Sequence, residues 1–192
     1  MISCSRVVNA IEGRLTYADL REMPEDGWRY ELLEGDLVGS PAPAVRHQRI
    51  LLKITALLIE AERAGAGIVL TAPTDVVLDP DLNALEPDLL FIARDRAAYL
   101  MTETHIAGAP DLVVEVLSPR TMERDLGPKQ RVYARYGVPH YWVVDPEAER
   151  VRAFELDGQA YRRPAVLRGD DLLRFPLAPA ISVRVSELFR GI

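Results

Sequence analysis

Two carboxylates stand four residues apart in Asp111-Leu112-Val113-Val114-Glu115-Val116-Leu117-Ser118-Pro119, a segment otherwise dominated by Val and Leu. In a strand successive side chains alternate, so Asp111, Val113, Glu115 and Leu117 share one face and Leu112, Val114 and Val116 the other. A strand of this composition is normally buried, and like charges are costly there unless a cation neutralises them. Lysine, arginine or a divalent metal can supply that charge, and Lys129, one of only two lysines (with Lys53), lies just downstream. Upstream, Glu86-Pro87-Asp88-Leu89-Leu90-Phe91-Ile92 again sets acids at the mouth of an apolar run. Acids on neighbouring strands with one lysine point to a hard-metal site, and hard metals on carboxylates point to phosphate chemistry.

The elements that must position these groups read as mixed α and β, without repeats. Thr16 is the expected N-cap of a short helix reaching Met23. Residues 29–33 and 36–40 predict a hairpin around Glu34-Gly35. A long helix is expected over about 44–64, with Ile50, Ile54, Leu57 and Ala61 at helical spacing and Gly65 at its C-terminal cap. Strands are expected over 68–72, 75–78, 88–93 and 112–117. A helix over about 126–136 comes next, with Asp125 as N-cap and Pro128 in the first turn, where its missing N–H is tolerated. That helix puts Lys129, Tyr133 and Tyr136 on one face, able to pack back over the Glu115 strand. A buried strand over 141–144, a hairpin around Asp157-Gly158 and a helical turn over 186–189 complete the layout.

An ordered set of segments carries a resemblance. Tyr30-Glu31-Leu32-Leu33-Glu34-Gly35-Asp36-Leu37-Val38, Ser40-Pro41, His47-Gln48 and Glu86-Pro87-Asp88 come first. Ala109-Pro110-Asp111 through Ser118-Pro119, then Asp125, Lys129, Tyr133, Gly137-Val138-Pro139 and Tyr141-Trp142-Val143-Val144-Asp145-Pro146 come after them. In this series the chain resembles a large group of bacterial restriction-endonuclease proteins within the PD-(D/E)xK nuclease superfamily. The superfamily's usual lysine, two places after the second acid, is missing, because Leu117 stands there. In the resembling family that lysine is relocated to the next helix, which here means Lys129.

The resemblance implies a restriction-endonuclease-like α/β fold: a mixed central sheet flanked by helices, with an N-terminal hairpin and a C-terminal β extension. It also implies Mg²⁺- (or Mn²⁺-) dependent hydrolysis of DNA phosphodiester bonds. Asp88 and Glu115 would hold the metal, and Lys129 would orient water or neutralise charge on the phosphorane. Glu31 would orient a further water or hold a second metal; Asp111, Asp125 and Tyr133 are accessory candidates. Each has a plainer reading. Asp111 can end a loop, Asp125 can cap a helix, Lys129 can sit on a solvated helix face, and Glu31 can pair with Arg29. His47, His105 and His140 lack zinc spacing and read as structural. Two other functions remain open: a catalytically inactive nucleic-acid-binding or oligomerising module, and a metal-dependent hydrolase of a small phosphorylated molecule.

Composition bounds these readings. A chain of 192 residues suits one domain over 1–192, with 1–12 as a frayed terminus. A hydrophobic share of 48% argues against wholesale disorder. The lone cysteine, Cys4, forbids an intrachain disulfide, and no signal pattern or membrane-length apolar run is present, so the expected location is cytoplasmic without a membrane partner. The net charge of -6 opposes nucleic-acid binding as a global property. Locally, residues 120–135 carry five basic and two acidic side chains, a net +3, which reads either as a phosphate-binding face or as a solvated helix. A twofold homodimer is the expected assembly, since double-strand cleavage with one site per chain takes two copies.

Overall fold

A computed structural model describes residues 15–191; the expected frayed terminus and Cys4 lie outside the described residues. The N-terminal half runs α1 (Tyr17–Leu20), β1 (Arg29–Leu33), β2 (Asp36–Ser40), α2 (Val45–Arg63), β3 (Gly67–Thr71), β4 (Val76–Asp79), β5 (Asn83–Leu85) and β6 (Leu89–Ala93). The middle contains α3 (Arg94–Leu100), β7 (Ile106–Ala107), β8 (Leu112–Val116), α4 (Met122–Asp125), α5 (Pro128–Arg135) and β9 (His140–Asp145). The chain then forms β10 (Arg150–Asp157), β11 (Ala160–Tyr161), β12 (Ala165–Arg168), β13 (Leu172–Arg174), β14 (Ser182–Arg184) and α6 (Val185–Phe189).

Local sequence accounts for the element ends. Thr16 and Asp19 form a reciprocal capping box at α1. The β1–β2 hairpin turns through Glu34 (φ 54°) and Gly35 (φ 88°), the two positive φ values of a type I′ turn. Helix α2 buries His47, Ile50, Leu51, Ile54, Leu57, Leu58 and Ala61 along one stripe. It ends in a Schellman motif: Ala66 N–H donates to Ala61 O at 3.0 Å, and Gly65 N–H to Glu62 O at 2.9 Å.

The central sheet has the order β11-β10-β9-β8-β6-β3, with β12 also paired to β10. Its middle strand, β8, lies antiparallel to β6 and parallel to β9. A parallel pair needs a crossover, and α4–α5 supply it, which brings α5 back over the sheet. One face, with Val114, Phe91 and Trp142, packs on α2 and on the C-terminal residues Phe175, Leu188 and Phe189. The other, with Val113, Leu117 and Tyr141, packs on Val132 and Tyr133 of α5 and on Leu33 and Leu85. Those last two belong to a second sheet ordered β2-β1-β5-β4-β7.

The mixed sheet, the N-terminal hairpin and the β-rich C-terminal part agree with the expectation, and three details differ. Helix α1 stops at Leu20 rather than Met23. The expected 126–136 helix is two pieces, α4 and α5, and the N-cap of α5 is Gly127, with Pro128 in its first turn. Asp125 is therefore the last residue of α4, and its side chain turns inward instead of capping. The short elements β5, α3, β7 and β12–β14 were not expected. Among the described residues, no helix is long and apolar enough to cross a membrane.

The β3–β6 pairing leaves no room at Gly67, where a Cβ would clash with the Ile92 carbonyl oxygen and the Phe91 ring. Gly67→Ala is expected to cost about 3 kcal/mol as overpacking. That lowers the melting temperature by about 6–12 °C for a chain of this size. An unchanged melt would mean that β3 does not lie this close to β6.

A buried carboxylate–lysine cluster at the mouth of the central sheet

The register of β6 and β8 pairs Leu89 with Val114 and Leu90 with Val113; continued by one step, it sets Asp88 opposite Glu115. Directly opposed residues of an antiparallel pair point to the same face. Asp88 and Glu115 thus project together, at the ends of β6, buried over its first four residues, and of β8, buried throughout. Glu31 arrives from β1 of the second sheet, and Lys129 and Asp125 come from the crossover helices. All five are at most 4% exposed, and they line a cavity of about 500 Å³.

Lys129 organises the cluster. Its Nζ lies 2.7 Å from Glu31 Oε1, 2.9 Å from Glu115 Oε1 and 3.9 Å from Asp125 Oδ1. The Tyr133 hydroxyl donates to the same Glu115 oxygen at 3.1 Å. Glu31 Oε1 also accepts the Glu86 N–H at 2.9 Å. Asp88 has a separate set of partners: His47 Nε2 at 2.9 Å and the Val116 N–H at 2.8 Å on Oδ2, and Arg29 at 3.0 Å on Oδ1. Arg29 is shared with Glu86, at 2.6 Å. Arg124 donates to Ser40 Oγ and lies 3.7 Å from Glu31.

The charges do not balance. Five carboxylates (Glu31, Glu86, Asp88, Glu115 and Asp125) face three permanent cations (Arg29, Arg124 and Lys129) and one imidazole. With all five carboxylates ionised, the excess over the three permanent cations is two negative charges. Burial pushes Glu115 up to about 8, because Asp125, Asp88 and Glu31 offset the help from Lys129. Burial likewise raises Glu86 to about 7 despite Arg29, and raises Asp125. At Asp88 burial is overcome by the His47 hydrogen bond and charge, by Arg29 and by the Val116 N–H, which hold it down to about 2. At Lys129 burial works downward, but three carboxylates outweigh it and push the ammonium above its ordinary range. Both members of the Glu115–Lys129 pair therefore shift upward: the lysine stays charged, and the excess negative charge is felt at Glu115.

The structure brings together Glu31, Asp88, Glu115, Lys129, Asp125 and Tyr133. Asp111 is not at this cavity. At the other end of β8 it accepts from the Ala93 N–H at 2.8 Å and pairs with Arg96 at 2.8 Å, the structural role that its plainer reading gave it. Tyr136 also turns elsewhere and donates to Asp79 at 3.1 Å. The basic 120–135 segment is not one face. Arg120 and Arg124 line the cavity, whereas Arg131 and Arg135 pair with Glu34. His47, Arg29, Glu86 and Arg124 were missed as parts of the cluster. His47 and Glu86 stand inside the segments that carry the resemblance; nothing in local spacing links His47 to Asp88, whereas Glu86, two places before Asp88 at the same strand mouth, was open to that reading.

This architecture is a nuclease-type mixed sheet with acids at the ends of adjacent strands. The family model described as "Putative restriction endonuclease" (Uma2) matches residues 17–186, and the chain belongs to that family. Among solved structures it is similar to a putative nuclease belonging to DUF820 from Anabaena variabilis ATCC 29413, at 19% identity and a TM-score of 0.76, covering 91% of this chain and 97% of that one. At that identity the likeness establishes the fold. No curated protein matches the chain.

The carboxylate oxygens of Asp88 and Glu115 are hard donors of the type that Mg²⁺ takes. Among the described residues, no group of three or more His, Cys, Asp or Glu side chains is arranged to hold a metal. Two carboxylates completed by water and phosphate oxygens are nevertheless a common way to hold Mg²⁺, and a cation bound there would favour the ionised form of Glu115 over the protonated one that burial favours.

The signs of these shifts set the pH dependence. A group raised in the folded state contributes stability below its unfolded pKa and loses it as pH rises through the folded value. Glu115 and Glu86 do this between about 4.5 and about 7–8. Asp88 acts oppositely, losing its contribution only as pH falls through about 2. In chelator, the melting temperature is expected to fall from pH 5 to pH 8.5, by about 2–4 °C per kcal/mol lost. Glu115→Gln should shallow that decline, and an identical decline in the variant would disprove the assignment to Glu115.

Proposed function

We propose that the protein is a metal-dependent phosphodiesterase acting on DNA, within a single domain. The observation that carries this reading is the pairing of Asp88 with Glu115 on one face, with the Lys129 ammonium 2.9 Å from Glu115 at an open cavity. Asp88 and Glu115 would hold Mg²⁺ or Mn²⁺. When bound, the ion would polarise the phosphoryl group and lower the pKa of a water.

The chain's own residues supply the rest. Glu31, anchored by the Glu86 N–H, fixes the Lys129 ammonium. Two of the three Lys129 donors are directed at Glu31 and Glu115, and its charge offsets negative charge that develops on the phosphate in the transition state. Tyr133 steadies the Glu115 carboxylate through its hydroxyl. Arg120 lines the cavity and can receive a flanking phosphate, whereas Arg46, paired with Glu147 at 3.1 Å, and Arg124, 3.7 Å from Glu31, would do so by exchanging those partners. His47 and Arg29 keep Asp88 ionised. Cleavage of both strands with one site per chain would take a twofold homodimer, and a cytoplasmic location fits the lone cysteine. A silent binding module is the competing reading, favoured by a lysine whose charge is already committed to two carboxylates.

The purified protein is expected to nick supercoiled plasmid only with Mg²⁺ or Mn²⁺. Asp88→Asn and Glu115→Gln should abolish nicking while leaving circular dichroism unchanged. Lys129→Arg should lose about 100-fold or more, since a planar fork does not replace a compact ammonium. Equal nicking by wild type and variants would identify a contaminating enzyme. Hydrolysis of nucleotides without polymer cleavage would favour a small-phosphate hydrolase.

A further inference from the structure

A second cavity, of about 640 Å³, adjoins the first, and Arg29, Pro41, Ala42 and Pro43 line both. The linings differ in kind. The first carries Arg46, Arg120 and Arg124 together with the buried acids and with Glu147, which pairs with Arg46 at 3.1 Å. The second is walled by Trp28, Leu51, Leu52, Ala72 and Pro73, with Glu86 as its one acid. Its one basic residue, Arg29, is held by Glu86 at 2.6 Å and Asp88 at 3.0 Å, so it has little charge left for another anion. Trp28 is 42% exposed and Leu52 63%, a large apolar surface beside a charged one. Gln48 adds an amide with both donors and an acceptor at this cavity.

We infer that the second cavity receives an unpaired nucleobase of the polynucleotide strand whose phosphate occupies the first. This rests on the phosphodiesterase reading of the first cavity and names the form of its substrate. A nucleotide is itself divided into an anionic backbone and a flat, largely apolar base with a polar edge. The two joined cavities repeat that division: cationic side chains in one, an aromatic ring and aliphatic walls in the other. Stacking on an exposed aromatic ring needs a free base face, and a base inside a duplex has none to offer. The volume lies within the range of about 300–1,000 Å³ typical of small-molecule pockets, so a single base fits with room to spare.

The test uses the full chain and oligo(dT) of about twelve nucleotides, within the usual footprint of single-strand sites. The protein has two tryptophans, and Trp142 is 2% exposed, so quenching of intrinsic fluorescence reports Trp28. Oligo(dT) is expected to quench it, whereas relaxed closed-circular duplex DNA in chelator, which has no ends, binds without quenching. Trp28→Ala should weaken oligo(dT) binding about tenfold, and Trp28→Phe should retain the affinity. The log–log salt slope should be equal in all three proteins, because stacking releases no counterions.

Bound oligo(dT) that leaves Trp28 unquenched, or equal affinity in Trp28→Ala, overturns the inference. So does quenching that depends on protein concentration and not on oligo(dT), which would make a second copy of the chain the occupant. Hydrolysis of bis(p-nitrophenyl) phosphate by wild type with Mn²⁺ reports the first cavity independently. Hydrolysis without quenching sinks the base site alone. Quenching without hydrolysis supports the base site and sinks only the catalytic reading.

Discussion

One buried ammonium joins three parts of the molecule. Lys129 on α5 touches Glu31 from the second sheet and Glu115 from the central sheet, at 2.7 and 2.9 Å. Neither carboxylate is more than 3% exposed, so neither can regain its hydration while the fold is intact. Removing one partner of such a pair typically costs about 3–5 kcal/mol, because the charge left behind stays buried. The hairpin β1–β2, strand β8 and the crossover helix are thereby tied to one point. That constraint explains how Glu31, about eighty positions away in the chain, comes to lie beside Glu115.

Ion pairs of this kind are a weak source of net stability, since desolvation offsets attraction. A cluster with surplus negative charge is weaker still, and hydrophobic packing on both sheet faces must offset it. The central strands provide that packing: every residue of β8 is buried, as are the first four of β6. An arrangement that holds five carboxylates around three cations makes little sense as a scaffold alone. Its surplus is relieved by a proton on Glu115, which burial raises to about 8, or by a bound cation in the proposed function.

Much of this was legible in the residues. Alternation over 111–117 placed Glu115 in a buried strand, and the acid-Pro-acid mouth at 86–88 placed Asp88 at the start of another. Their mutual facing depends on register, which a one-residue slip would invert. Lys129 was legible because Pro128 fixes the first turn of α5. Asp125 was misread as a cap because a single extra turn, α4, cannot be told from loop by periodicity over four residues. His47 and Arg29 were illegible as partners of Asp88: their contacts span 41 and 59 residues and arise from tertiary packing alone. Short strands such as β5 and β7 owe their existence to neighbours and carry no pattern of their own.

The negative net charge is compatible with an anionic ligand once position is considered. Glu31, Asp88, Glu115 and Asp125 are enclosed and already partnered with cations. Arg46, Arg120 and Arg124 stand around the same opening. Fields in a low-dielectric cleft are shaped by the nearest charges, whereas exposed charges beyond about 10 Å are screened by salt. An approaching phosphate therefore meets Arg120 and the Arg46–Glu147 pair first, and the buried acids only through whatever cation they hold. The acids that oppose binding in a whole-chain sum are, at this cavity, the reason a cation would be there.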